Sequence, residues 1–119
     1  MKDFIKFFEI PATDVKRAVD FYQKVFKIEI TLHDWGVEKM GMFPDNIGSI
    51  SQAEGFKPCE HGTLITLNGG EDLSNTMNIV VENGGKEIIP KTKIEAENQG
   101  YFAVFLDTEG NRIGLYSDN

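Results

Sequence analysis

The sequence predicts an α+β domain built from two modules, each a strand, a helix and three further strands (βαβββ). Two observations carry the prediction. First, Asp14 and Asp72 each stand at the start of a helical pattern, 58 positions apart in a chain of 119 residues. Strand-like runs surround the two helices in the same order. A repeat of about half the chain means two similar units packed on each other. Residue identity between the halves is low, so the repeat is one of pattern. Second, Gly100–Tyr116 reads as strand, tight turn and strand. Tyr101–Leu106 is an unbroken apolar and aromatic run, as in a strand buried on both faces. Asp107–Asn111 holds the Asp, Gly and Asn that reverse a chain. Ile113 and Leu115 then alternate with Gly114 and Tyr116, giving a strand two different faces. The modules span about residues 1–55 and 60–119 of a single domain.

Taken in order, Phe4–Ile10 is the first strand, with Phe4, Lys6, Phe8 and Ile10 on one parity and Ile5, Phe7 and Glu9 on the other. Pro11 ends it, because proline cannot donate to a sheet ladder. Thr13 or Asp14 caps a helix that runs to about Phe26. Val15, Ala18, Val19, Tyr22, Val25 and Phe26 form its apolar stripe. Three short strands follow, Ile28–His33, Val37–Phe43 and Ser49–Ala53, separated by turns at Gly36 and Pro44–Asn46. Gln52–Gly62 is a connecting loop. The second module opens with Thr63–Leu67 and the turn Asn68–Gly70. Glu71–Asp72 start a helix with Leu73, Met77, Val80 and Val81 on one face, and Gly84–Gly85 close it. Ile88–Ile89, with Pro90, Lys86, Lys91 and Lys93 around them, read as an edge strand protected against pairing with other chains.

Composition bounds the function. The chain is 40% hydrophobic and 26% charged, one domain's worth of ordinary globular material. No apolar run approaches the roughly 20 residues of a membrane span, and the start lacks a secretory pattern. Cys59 is the sole cysteine, so no intrachain disulfide forms, which agrees with a cytoplasmic location. A formal net charge of −7 argues against nucleic acid or an anionic membrane as partner.

With these elements in place, the chain resembles the vicinal oxygen chelate superfamily, which contains glyoxalase I, bleomycin-resistance proteins and extradiol dioxygenases. The resemblance rests on Phe8-Glu9-Ile10-Pro11-Ala12 leading to Asp14, on Ala18-Val19-Asp20-Phe21-Tyr22 with Val25-Phe26, and on Met40-Gly41-Met42-Phe43-Pro44. It continues in Gly84-Gly85 and in Gly100-Tyr101-Phe102-Ala103 through Asp107-Thr108-Glu109-Gly110-Asn111-Arg112-Ile113-Gly114-Leu115. Their order and spacing cover nearly the whole chain. The resemblance implies a curved mixed sheet with helices on its convex side and a cavity on its concave side, and, as in many members, a homodimer. Phe4, Phe8, Ile10, Ile113 and Leu115 are then expected under the helices. Phe7, Glu9, Gly114 and Tyr116 are expected toward the cavity.

In the members that use a metal, His or Glu ligands stand on the inward parity of the first, fourth, fifth and eighth strands. Carried over by spacing, those positions are Phe7, Ser49 or Ser51, Ile65 (or Thr63), and Gly114. None offers the imidazole or carboxylate lone pair that a divalent transition metal wants. The expectation is therefore no metal in the family's position and no cofactor. Cys59, Glu60 and His61 are adjacent and point apart on extended chain, so the loop that holds them is not read as a zinc site.

The candidate ligand-binding residues are Phe7, Glu9, His33, Trp35, Met40, Met42 and Tyr116. Glu9 has two readings: a carboxylate desolvated in an apolar cavity that acts as general base, or a structural salt-bridge or hydrogen-bond partner. Arg112 either pairs with Glu9, holds an anion or lies on the surface. Trp35 and His33 form a stacking wall or cap the sheet rim. Met40 and Met42 adapt to irregular apolar ligands and fill cores equally well. Gly114 leaves space beside the Tyr116 phenol. Three functions follow from this set. The first is metal-independent binding of a planar or amphipathic small molecule in a dimer cavity. The second is an isomerase, epimerase or lyase with Glu9 as base. The third is a non-catalytic regulatory or structural dimer. Fold alone does not separate them.

Overall fold

The computed structural model describes residues 2–119, and in it each element starts where a capping or pairing partner allows. Helix α1 (Val15–Phe26) begins after extended Asp14, whose Oδ1 accepts a 3.1 Å bond from the Arg17 N–H. It ends at Lys27 in the left-handed region. Helix α2 (Leu73–Glu82) begins after Asp72 in the same way, with Oδ1 accepting from Ser74 N–H at 2.9 Å. Each cap satisfies an amide that the helix leaves orphaned.

Strands β1 (Phe8–Pro11), β2 (Thr31–Asp34), β3 (Glu38–Met42) and β4 (Gly48–Ala53) form one sheet in the order β1-β4-β3-β2. Strands β5 (Ile65–Asn68), β6 (Lys86–Lys93), β7 (Tyr101–Leu106) and β8 (Arg112–Ser117) form the other in the order β5-β8-β7-β6. In each sheet the first and last strands of the module pair parallel and the remaining pairs are antiparallel. The fold is thus α+β with two βαβββ modules. Edge strand β6 shifts register twice, between Glu87 and Ile89 and again before Thr92, which interrupts a ladder that another chain would need.

Three sequence expectations are corrected. The first strand starts at Phe8, not Phe4, because its partner β4 starts at Gly48 and Phe8 pairs with Gly48. Among the described residues Phe4–Phe7 belong to no strand pair, and Phe4, expected under the helix, is 77% exposed. The second strand starts at Thr31, opposite Met42, because the chain turns away after Phe43. On α2, Val81 is 53% exposed, and Ile79 packs against the core in its place.

One core serves both modules. Ile10, Gly41, Phe43 and Ile50 face α1 from the first sheet, and Ala103, Phe105, Ile113 and Leu115 face the helices from the second. Helix α1 comes so close to β3 that a Cβ on Gly41 would lie 2.5 Å from the Val19 methyl. Phe21, outside the stripe read from the sequence, is buried and reaches across to Phe105, with ring centroids 6.0 Å apart. Burying such a ring contributes about 1.5–3 kcal/mol.

The β7–β8 turn locks the modules together. The Glu109 Oε1 accepts from the Thr13 and Asp14 N–H groups, both at 2.9 Å, at the start of α1. Asn111 Nδ2 donates to the Pro11 carbonyl at 2.7 Å. The buried Asp107 takes a 2.7 Å bond from the Tyr22 hydroxyl and two 2.9 Å bonds from the Glu109 and Asn111 N–H groups.

Candidate functional site

The face of the first sheet turned away from the helices carries Glu9 on β1, Ser49 and Ser51 on β4, Met40 and Met42 on β3, and His33 on β2. Their common side follows from register: Glu9 is opposite Ser49, Ser51 opposite Met40, Ser49 opposite Met42, and His33 opposite Met40. Residues of the other parity, Ile10, Gly41 and Ile50, face α1.

Glu9 is oriented from the sheet. The Ser51 hydroxyl donates to Glu9 Oε1 at 2.8 Å, and Ser49 Oγ lies 2.8 Å from Ser51 Oγ. A serine has one proton to give. With the Ser51 proton committed to the carboxylate, Ser49 must donate to Ser51, so the string runs Ser49 to Ser51 to Glu9. Both serines are fully buried, whereas Glu9 is exposed. Among the described residues no cation lies within ion-pair distance of Glu9.

His33 and Trp35 stack, with ring centroids 5.2 Å apart and planes 4° from parallel. The Trp35 backbone N–H donates to the Glu38 carbonyl at 2.9 Å, which sets the residue at the β2–β3 turn, 58% exposed. Phe7 precedes β1 on the Glu9 parity and is 39% exposed. Tyr116 belongs to the second sheet, where its hydroxyl accepts from Gly100 N–H and donates to Asp118 Oδ1. The structure therefore groups Glu9, His33, Trp35, Met40 and Met42 on the first sheet and leaves Tyr116 on the second.

Arg112 shares a cleft of about 200 Å³ with Glu9, Cys59 and Thr63, where β1 meets the second module. The two side chains are not ion-paired. Among the described residues, none of the five best-formed clefts unites Tyr116 with Trp35 or with the methionines.

At two of the positions that the resemblance gives for metal ligands, the side chains offer no lone pair. Phe7 and Gly114 carry no donor group. The inward residue of β5 is Thr66, opposite Gly114, rather than Ile65 as the spacing suggested; Ile65 shares the helix side with Leu67. A Cβ on Gly114 would lie 2.6 Å from Thr66 Oγ1. Among the described residues no three His, Cys, Asp or Glu side chains come together to hold a metal, and no helix is long and apolar enough to cross a membrane. Cys59 and His61 meet only through sulfur and backbone, at 3.2 and 3.3 Å.

The serine string is a part of the Glu9 site that sequence reasoning misses. Its signal is the alternation Ser49-Ile50-Ser51, with small polar residues on the face opposite a core isoleucine.

Comparison with known proteins agrees with this architecture. The family model described as Glyoxalase/Bleomycin resistance protein/Dioxygenase superfamily matches residues 4–115. A glyoxylase-like domain-containing protein of Didymella fabae is 34% identical over 113 residues, 87% of this chain and 84% of its own. A glyoxalase/bleomycin resistance protein/dioxygenase family enzyme from Burkholderia phytofirmans superposes with a TM-score of 0.71 at 14% identity, over 97% and 98% of the two chains. A fosfomycin resistance protein, FosX, from Listeria monocytogenes, solved with Mn(II) and a dihydroxypropylphosphonic acid, gives 0.69 at 13% identity, over 100% and 93%. A glyoxalase I variant from Zea mays gives 0.73 at 17% identity, over 92% of this chain and 45% of that one. At such identities the structural likenesses speak for the fold alone.

Proposed function

The chain belongs to the glyoxalase/bleomycin resistance protein/dioxygenase superfamily, and from that premise we propose that it binds a small amphipathic molecule on the open face of its first sheet without a metal. The observation that carries this reading is the Ser49–Ser51–Glu9 string beside Met40 and Met42. Burying a hydroxyl costs about 1–3 kcal/mol unless it is hydrogen-bonded. A sheet face that served only as core would carry valine or isoleucine at positions 49 and 51. The two serines instead aim a solvent-accessible carboxylate. A fixed acceptor among polarisable apolar side chains suits a ligand with an apolar body and a hydrogen-bond donor. The stacked His33–Trp35 pair supplies a flat wall at the edge. Phe7 and Trp35 leave apolar surface open on this side, which a second copy of the chain covers in our reading. The same reading places the protein in the cytoplasm.

A second reading has Glu9 act as general base in an isomerase, epimerase or lyase. It is favoured by the absence of a cation partner for Glu9 among the described residues, which leaves Oε2 free to take a proton.

A ligand screen by thermal shift on wild type and Glu9→Gln tests the first reading. The expected result is a set of ligands that raise the wild-type Tm and lose their effect in the variant. Turnover of such a ligand by wild type but not by Glu9→Gln decides for the second. If no ligand stabilises wild type, both readings fail. A stoichiometric transition metal in elemental analysis of purified protein overturns the metal independence.

A further inference from the structure

We propose that the junction of the two modules on the helix side carries a second binding site, which takes a small hydrophobic amine. The start of β1, the C-terminal end of α1, the turn after β3 and the turn after β5 enclose a cleft of about 450 Å³. Its walls are Phe8, Phe26, Ile28, Phe43, Ile47 and Leu67. Small-molecule pockets run from about 300 to 1,000 Å³ and are walled mainly by apolar and aromatic side chains with a few polar groups. The Phe8 and Phe43 rings lie 5.7 Å apart at 32°, so packing within the core forms this wall in advance of any ligand.

The two halves of the molecule treat this place differently. In the second module the β7–β8 turn seats on the start of α1, and Glu109 and Asn111 occupy the joint with hydrogen bonds. At the matching place in the first module, the β3–β4 turn lines a cleft together with Asn68 and Gly70, which lead into α2. There, among the described residues, no hydrogen bond joins Pro44–Ile47 to Asn68–Gly70. The joint is open space lined by apolar carbon. Such lining atoms lack dispersion partners that an apolar occupant would supply.

Charge selects the occupant. Asp45 is the one ionisable residue of the lining. Among the described residues its carboxylate has no hydrogen-bond or ion-pair partner. Its backbone sits at φ 62° and ψ 15°, left-handed geometry that aspartate adopts more readily than most residues. An apolar cleft with a lone carboxylate at its rim favours a cation on an apolar body and disfavours carboxylates and phosphates. Phe8, Phe43 and Leu67 lie on the helix side of the sheets and Glu9 on the other, so this site is independent of the one proposed above.

Phenethylamine, 2-phenylethanol and 3-phenylpropionate serve as probes, read by methyl NMR of the full chain. The amine is expected to shift the methyl signals of Ile28, Ile47 and Leu67, ahead of the alcohol and well ahead of the acid. Asp45→Asn is expected to weaken the amine about two- to fivefold, the scale of an exposed ion pair. Ile47→Trp, at an exposed position, is expected to block binding with Tm and elution volume unchanged. Glu9→Gln is expected to leave amine binding intact. The proposal is overturned if those methyls do not respond, if the acid binds as well as the amine, or if Glu9→Gln abolishes the effect. It is also overturned if Ile47→Trp dissociates an oligomer, because a second copy then covers the cleft.

Discussion

Arg17 and Glu109, 92 positions apart, form a two-pronged ion pair that ties the first helix to the last turn. Arg17 Nε donates to Glu109 Oε2 at 2.8 Å and Nη2 to Oε1 at 3.0 Å. The arginine side chain is half exposed and the glutamate side chain fully covered. A covered carboxylate is costly unless its lone pairs are filled, and here they are filled by the guanidinium, by the Thr13 and Asp14 amides and by the Thr108 hydroxyl.

This arrangement predicts how stability depends on acid. Burial alone would push the Glu109 carboxyl upward, but the bonds from Arg17, the Asp14 amide and Thr108 outweigh it and hold it below its ordinary value of 4.5. A carboxyl depressed by folding contributes stability that is fully present above the unfolded value and is lost as pH falls through the folded one. Chemical denaturation of wild type should therefore be flat in this contribution from pH 7 to 5 and weaken below about 4.5. Glu109→Gln should cost about 1–3 kcal/mol at pH 7 and show a shallower acid limb. Equal acid limbs in the two proteins would refute the assignment.

Tyr22 makes the matching prediction at the alkaline end. Its phenol is pushed well above its ordinary value of 10.0, first by burial and then by the neighbouring Asp107 carboxylate that it bonds. A group raised by folding contributes stability present below the unfolded value and lost as pH rises through the folded one. Wild type should lose Tm above about pH 10, and Tyr22→Phe should lack that part of the loss. At pH 7, Tyr22→Phe removes a donor from the buried Asp107 and should cost about 1–3 kcal/mol. Urea titrations of both proteins at pH 7 and 10.5 measure both effects.

How far such residues can be read from sequence depends on whether their partners are local. Helix α1 is legible over Val15–Phe26, because its cap and apolar stripe lie within one segment. Strand β7 is legible because Tyr101–Leu106 is apolar throughout. Phe4–Phe7 misleads, since an apolar run looks like a strand, but strand length is set by the partner, which begins at Gly48. Phe21 is missed because the pattern assumes one buried stripe, whereas α1 packs on its own sheet and also reaches the second module at Phe105. On the candidate site, alternation puts Met40 and Met42 on one side of their own strand, but whether Glu9 shares that side depends on the β1–β4–β3 register, which no single segment carries. The Ser51 donor to Glu9 is not legible in the sequence, because it is 42 residues away and depends on the β1–β4 pairing.

The last prediction concerns the position where metal-using relatives of the resembled family carry a carboxylate. Gly114 faces Thr66 across the β5–β8 pair, and a Cβ there would lie 2.6 Å from Thr66 Oγ1 and 3.4 Å from its Cβ. Real contacts are not that short, so Gly114→Ala must displace Thr66, and overpacking of this kind costs about 1–3 kcal/mol. Thr66→Ala removes the hydroxyl that clashes. The double variant should therefore be less destabilised than the sum of the single ones, with a coupling of about 0.5–3 kcal/mol from urea denaturation. Gly114→Glu should be destabilised at least as much as Gly114→Ala, since the longer side chain starts from the same Cβ. Elemental analysis of Gly114→Glu should find no stoichiometric transition metal, because one added carboxylate beside Thr66 supplies a single ligand where a site needs at least three. Additive effects of Gly114→Ala and Thr66→Ala would show that the strand pair yields elsewhere, and that the glycine is not required by its neighbour.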